Sequence, residues 1–122
     1  MLLTGNYRCV LDNDVRSIRD AVHSDHAQSE AVYQWVVSVC ETLGADSADM
    51  VPFEKYAKAA EGLVKPSSAA RALASGATGI ERVDLLVRNI AQQHGLSNDS
   101  VSQTVAYVDA FLDKNRRASK AS

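Results

Sequence analysis

Ser29-Glu30-Ala31-Val32-Tyr33-Gln34-Trp35-Val36-Val37-Ser38-Val39-Cys40-Glu41-Thr42-Leu43-Gly44 sets Val32, Trp35, Val36, Val39, Cys40 and Leu43 at separations of three and four. That repeat belongs to an α-helix with one apolar stripe. Gly44 follows where a left-handed C-cap belongs. The pattern predicts a helix at the centre of the core.

Five more helical segments extend outward from it. Upstream, Val15, Ile18 and Val22 share one face of a short helix that Asn13 or Asp14 can cap. Downstream, Pro52 suits a first turn, and Phe53, Tyr56, Ala57, Ala60, Leu63 and Val64 keep helical spacing until Pro66 breaks it. Ser67 and Ser68 open an alanine-rich helix that ends near Gly76. Ile80, Val83, Val87, Ile90 and Ala91 form the inner face of a fifth helix, stopped by Gly95. A capping cluster, Ser97-Asn98-Asp99-Ser100, starts the sixth, whose stripe is Val101, Val105, Val108 and Leu112, with Phe111 adjacent. No segment alternates with period two. The expected fold is an all-α, compact domain of about six helices over residues 1–114, with 115–122 as a flexible basic tail.

The composition fits one globular domain: 122 residues, 46% hydrophobic and 23% charged, enough to bury roughly two-thirds of the unfolded surface. A net charge of −2 gives no field that would draw in nucleic acid or an anionic membrane. No apolar run reaches roughly 18 residues, and Met1 to Val10 lacks the order of a signal peptide. Two cysteines, Cys9 and Cys40, make neither a disulfide framework nor a zinc knuckle. A cytoplasmic location is expected, with no membrane or nucleic-acid partner.

Motifs for chemistry are sparse. His23-Ser24-Asp25-His26 offers two imidazoles and a carboxylate, but no second cluster completes a zinc site, so no metal ligand is expected. No Gly-x-Ser-x-Gly elbow is present, and Gly76-Ala77-Thr78-Gly79 lacks the lysine of a phosphate loop. Asn98-Asp99-Ser100 reads as a helix cap. The tail from Lys114 to Lys120, with four positive charges in seven residues, has no aromatic partner and reads as a solvated terminus. No catalytic residue is expected in this chain.

Lys65 to Val87 carries more information. Two serines open a short helix, a loop of small residues follows, and acids stand at the start of the next helix. Hydroxyls and backbone N–H groups at two helix starts suit an anion-binding corner. They equally suit ordinary capping, with Glu81 favoured by the dipole in a first turn.

This stretch resembles the C-terminal helical domain of the ketopantoate reductases (2-dehydropantoate 2-reductases), and so the six-helix fold of that domain and of 6-phosphogluconate-dehydrogenase-type enzymes. The similarity rests on Ser67-Ser68, the loop ending at Thr78, Ile80-Glu81 and His94-Gly95, with Leu3-Thr4-Gly5 similar to the Leu-Thr-Gly segment after the family's catalytic lysine and asparagine. It spans nearly the whole chain. Departures are present too. The family's glutamate falls on Gly79, Glu81 replaces its aspartate, and Arg8-Cys9-Val10-Leu11 stands where Asn-Gly-Glu-Leu is usual.

The resemblance implies a substrate-binding and dimerisation domain of an NADP-dependent 2-oxo acid reductase of the pantothenate-biosynthesis type, inactive alone. Ser67 or Ser68 would bond the substrate carboxylate, and Glu81 would hold its hydroxyl. NADPH and the general acid would come from an N-terminal Rossmann domain outside this sequence, with no cofactor held in this chain. A homodimer is expected. The alternative is a stand-alone, non-catalytic helical module that dimerises through an apolar face.

Overall fold

In a computed structural model the chain is described over residues 5–12, 14–46, 48 and 50–121, the last by its backbone alone. Leu3, Thr4, Asn13 and Ser122 lie outside the described residues. Among the described residues six helices form: α1 (Ile18–His23), α2 (His26–Thr42), α3 (Phe53–Ala60), α4 (Ser68–Ala74), α5 (Val83–Gln93) and α6 (Asp99–Ala121). Ahead of α1 a 3-10 turn over Tyr7–Cys9 leads into a minimal antiparallel ladder, β1 (Val10–Leu11) with β2 (Asp14–Val15), in which Val10 faces Val15. The domain is thus all-α apart from this two-residue hairpin. No helix among the described residues is long and apolar enough to cross a membrane.

The helix ends follow local chemistry. Gly44, Gly76 and Gly95 all adopt positive φ, as the sequence predicts for residues just past a helix. Ser17, not Asp14, caps α1, accepting the Asp20 N–H at 3.0 Å. Asp25 caps α2, which therefore begins three residues before Ser29. Asn98 Oδ1 accepts from Val101 N at the start of α6, the capping role expected of that cluster. The expected third helix stops at Ala60 rather than Val64. Beyond it, the carbonyls of Leu63 and Lys65 accept from Arg19 N and Ile18 N, meeting two of the orphan donors at the start of α1. That job holds the segment out of a helix, and Leu63 and Val64 are exposed, not buried as their spacing suggests.

α6 is the organising helix, a role the sequence pattern assigns to α2. Its buried positions run Val101, Thr104, Val105, Val108, Phe111, Leu112 and Asn115, steps of three and one that keep a single face inward. Each large apolar side chain so buried contributes about 1.5–3 kcal/mol. The N-terminal half packs with Val32 of α2. The C-terminal half joins Tyr7, Cys9, Val10, Ala21, Ala70 and Leu73. A separate cluster, Val22, Tyr33, Phe53, Ala57 and Ala60, binds α1, α2 and α3 together.

The helix does not end at the expected boundary near Lys114. Asn115 occupies the next inward position, and its Nδ2 donates to Leu73 O (3.0 Å) and Ala77 O (2.8 Å). Leu73 O also accepts from Gly76 N at 3.0 Å, and the amide of Asn115 ties this carbonyl and that of Ala77 to α6. Arg116 Nε likewise donates to Thr78 O at 3.0 Å, so the basic segment runs on as helix through Ala121.

One ion-pair network enters the core. Asp84, with 0% exposure, receives Arg82 Nε on Oδ1 and Nη2 on Oδ2, both at 3.0 Å. Arg82 Nη1 reaches Asp109 on α6 at 2.7 Å. Burial works to lower the Arg82 pKa, but the hydrogen bonds to Asp84 and Asp109 outweigh it and the net shift is upward. The network pins the start of α5 to α6. Replacing Asp84 by Ala removes the acceptor and leaves a half-buried cation, so denaturant unfolding is expected to show a loss of about 3 kcal/mol, the low end for a broken buried pair. Asp109→Ala, at an exposed position, should cost about 1 kcal/mol or less.

Candidate functional site

The residues singled out by sequence divide into two environments. Ser67 is the N-cap of α4 and almost fully buried, at 3% exposure. Its Oγ accepts from Ala70 N (3.2 Å) and donates to Asn6 O (2.7 Å). The hydroxyl's one proton is therefore committed within the chain, and Ser67 serves as a strut between α4 and the N-terminal segment. Ser68, the first residue of α4, is exposed.

Glu81 lies ahead of α5 rather than in its first turn, where the acid is Asp84. The loop is held there by Tyr7. The phenol donates to Glu81 O (2.6 Å) and accepts from Val83 N (3.2 Å), doing for α5 what a capping side chain does elsewhere. Burial raises the Tyr7 pKa against the opposing pull of the Val83 N–H, which keeps the phenol protonated and able to donate.

Ser68 and Glu81 meet at one open pocket of about 320 Å³, lined also by Asn6, Tyr7, Ala69, Ala72, Ile80 and Val83. Ser67 is not in its lining. The pocket offers a hydroxyl and a carboxylate over a partly apolar floor, suited to holding a polar ligand that carries a hydrogen-bond donor. The two helix starts beside it are less available to an anion than the sequence allows. The Ala70 and Val83 N–H groups already bond to Ser67 and Tyr7, which is the capping alternative at both ends.

The remaining motifs are accounted for by packing. His23 Nε2 lies 2.7 Å from Ala57 O, His26 meets the Phe53 ring edge-on at 5.1 Å, and Asp25 is the cap of α2. Among the described residues no three His, Cys, Asp or Glu side chains gather where they could hold a metal ion. Cys9 is fully buried, its Sγ bonding to Gly5 O, and burial raises its pKa, the state of an inert thiol.

Three functional-looking residues escape sequence inspection: Tyr7, Arg8 and Asp84, all buried. Arg8 stands in the segment where the family resemblance breaks, which is the one signal that points to it. Removing the two hydroxyls separately distinguishes strut from pocket wall. Ser67→Ala is expected to lower unfolding stability by about 1–2 kcal/mol through the lost cap and bridge, whereas Ser68→Ala should stay within about 0.5 kcal/mol of the parent.

With this geometry in view, comparison of the chain with protein-family models, with curated proteins and with solved structures finds no match in any of the three.

Proposed function

We propose that this domain is a non-catalytic helical interaction module that pairs with a second copy of itself through the apolar surface of α2. One observation carries this reading. From Ala31 to Cys40 only Gln34 and Ser38 are polar apart from the Tyr33 hydroxyl, yet only Val32, Tyr33 and Val39 in this run are buried. Trp35, Val36, Val37 and Cys40 are half-buried, and Leu43 just beyond the helix is 54% exposed. The exposed row of the helix is Ala31, Gln34 and Ser38, so its apolar residues lie off that row. Trp35 and Val36 pack in part against the Val32–Val101 pair and Val37 against the Tyr33–Phe53 cluster, and each keeps some surface open to solvent.

The occupant follows from charge. A two-fold contact sets a patch against its own copy, so a charged stripe would repel itself. Residues 31–40 contain no Asp, Glu, Lys, Arg or His, which makes the stretch compatible with self-pairing.

Trp35 is the only tryptophan, so its emission reports burial of this face. With rising protein concentration, sedimentation is expected to move from monomer to dimer mass as the emission shifts to the blue. Leu43→Glu, at an exposed site, should keep the circular dichroism of the parent and weaken the dimer at least tenfold, the effect of burying one unpaired charge. A monomer with unshifted emission up to submillimolar concentration would rule the reading out.

A second reading has its own observation: Ser68 and Glu81 line one pocket. On it, the chain is the substrate-positioning and dimerising domain of a ketopantoate-reductase-like, NADP-dependent 2-oxo acid reductase, with a Rossmann domain as partner. Bound NADPH would supply the hydride. This chain's share would be orientation, Ser68 donating to the substrate carboxylate and Glu81 accepting from its hydroxyl. Mixing the domain with a folded candidate Rossmann domain should then yield 2-oxo acid reduction that neither shows alone, reduced at least tenfold by Ser68→Ala or Glu81→Gln. Absence of turnover in the mixture would remove this reading and leave the first intact.

A further inference from the structure

We infer that a second cavity, between the N-terminal segment and the facing ends of α2 and α6, is a binding site for the phosphate group of a small molecule. The cavity holds about 200 Å³ and shares no lining residue with the Ser68–Glu81 pocket. Its wall includes Arg8, Arg16, Gln28, Ser100, Gln103 and Tyr107, and among the described residues no Asp or Glu contributes to it. In a chain of net charge −2, two cations converge on one concave surface.

Both guanidiniums are set in place by the fold. Arg8, at 4% exposure, donates Nη1 to Ser29 Oγ (2.6 Å) and Nη2 to Gln28 Oε1 (2.7 Å). Ser29 is itself fixed by donating to Val22 O at 2.7 Å. Arg16 donates Nε to Arg8 O (2.9 Å) and Nη1 to Ser24 Oγ (2.9 Å). Gln28 continues the network, its Nε2 donating to Ser100 Oγ at 3.1 Å. These bonds orient the two guanidiniums.

Burial lowers the Arg8 pKa, the neighbouring charge of Arg16 lowers it further, and Asp25 works in the opposite direction. An anion in the cavity relieves that repulsion. Phosphate fits better than a single carboxylate because it offers up to two negative charges and several acceptor oxygens to two separate guanidiniums. The hydroxyls and amides of Ser100, Gln103 and Tyr107 complete a polar wall of uncharged groups able to donate to it.

The test uses the whole chain and inorganic phosphate as the probe, titrated against chloride at matched ionic strength. Amide resonances of Gln28, Ser100 and Gln103 are expected to move saturably with phosphate alone, and the melting temperature to rise with its concentration. Arg16→Gln removes one charge, and Gln103→Glu, at an exposed position, puts a carboxylate in the wall. Each should weaken phosphate binding about tenfold or more while preserving the helical circular dichroism. Equal responses to phosphate and chloride would overturn the proposal. So would phosphate binding that Gln103→Glu leaves unchanged, since the ion would then sit elsewhere. Tighter binding of succinate than of phosphate would overturn the assignment of the ligand.

Discussion

The structure depends on burying the short irregular segment from Tyr7 to Val10, where four consecutive residues are at most 4% exposed. A buried stretch of a single 3-10 turn and the first residue of a two-residue strand cannot leave its polar groups unmet, because each unpaired one costs about 1–3 kcal/mol. The helices around it are placed to meet them. Ser67 at the start of α4 bonds to the Asn6 carbonyl, Tyr7 reaches the loop and first turn of α5, and Arg8 reaches Gln28 and Ser29 of α2. Arg16, returning from the hairpin, takes the Arg8 carbonyl. One segment thus fixes the starts of three helices. Space around it is correspondingly tight: a Cβ on Gly5 would overlap the Tyr56 hydroxyl, so glycine there is a packing requirement.

α6 closes the other side. Its inward face changes character along its length, from the valines at 101, 105 and 108, through Phe111 and Leu112, to the amide of Asn115. The change follows what each part meets. The first two-thirds face apolar side chains, whereas the last turns face the carbonyls where α4 ends. An aliphatic residue at 115 would pack but would leave Leu73 O and Ala77 O without the donor they now have. The Arg82–Asp84–Asp109 network plays a similar part at the start of α5, tying it to α6 by charge.

Much of this fold was legible because helices carry their own punctuation. The stripes of α2 and α6, the glycines after α2, α4 and α5, and Ser67 as a cap all follow from spacing and local chemistry. The failures share one cause: partners distant in sequence. Residues 7–10 have neither period two nor period 3.6, so nothing in their order announces burial. Leu63 and Val64 keep helical spacing, but the Leu63 and Lys65 carbonyls are required by α1, and that requirement breaks the helix. Asn115 reads as the start of a polar tail until the α4 carbonyls are seen beneath it. Of Ser67, Ser68 and Glu81, singled out in the sequence, Ser68 and Glu81 line one pocket and Ser67 does not. That separation was not legible, since adjacent residues at a helix start differ in exposure only through what packs on them. Asp84 looks like an ordinary first-turn acid, and only Arg82 and the α6 wall make it a core residue.

Tyr7 and Arg8 are neighbours in sequence, yet Tyr7 lines the cavity of Ser68 and Glu81 while Arg8 lines the cavity of Arg16 and Gln103. The two cavities therefore share a wall of one buried turn. Each phenol or guanidinium bond that holds the turn also shapes one cavity, so neither cavity exists without the fold that forms it. A ligand bound at either one would favour the folded chain by mass action. The helix whose first turns carry Gln28 and Ser29 is also the one whose later turns leave Trp35 and Val36 half-buried. Anchoring Arg8 to the start of α2 sets the orientation of the whole helix. The buried turn thereby bears on which apolar side chains of α2 stay only half-covered.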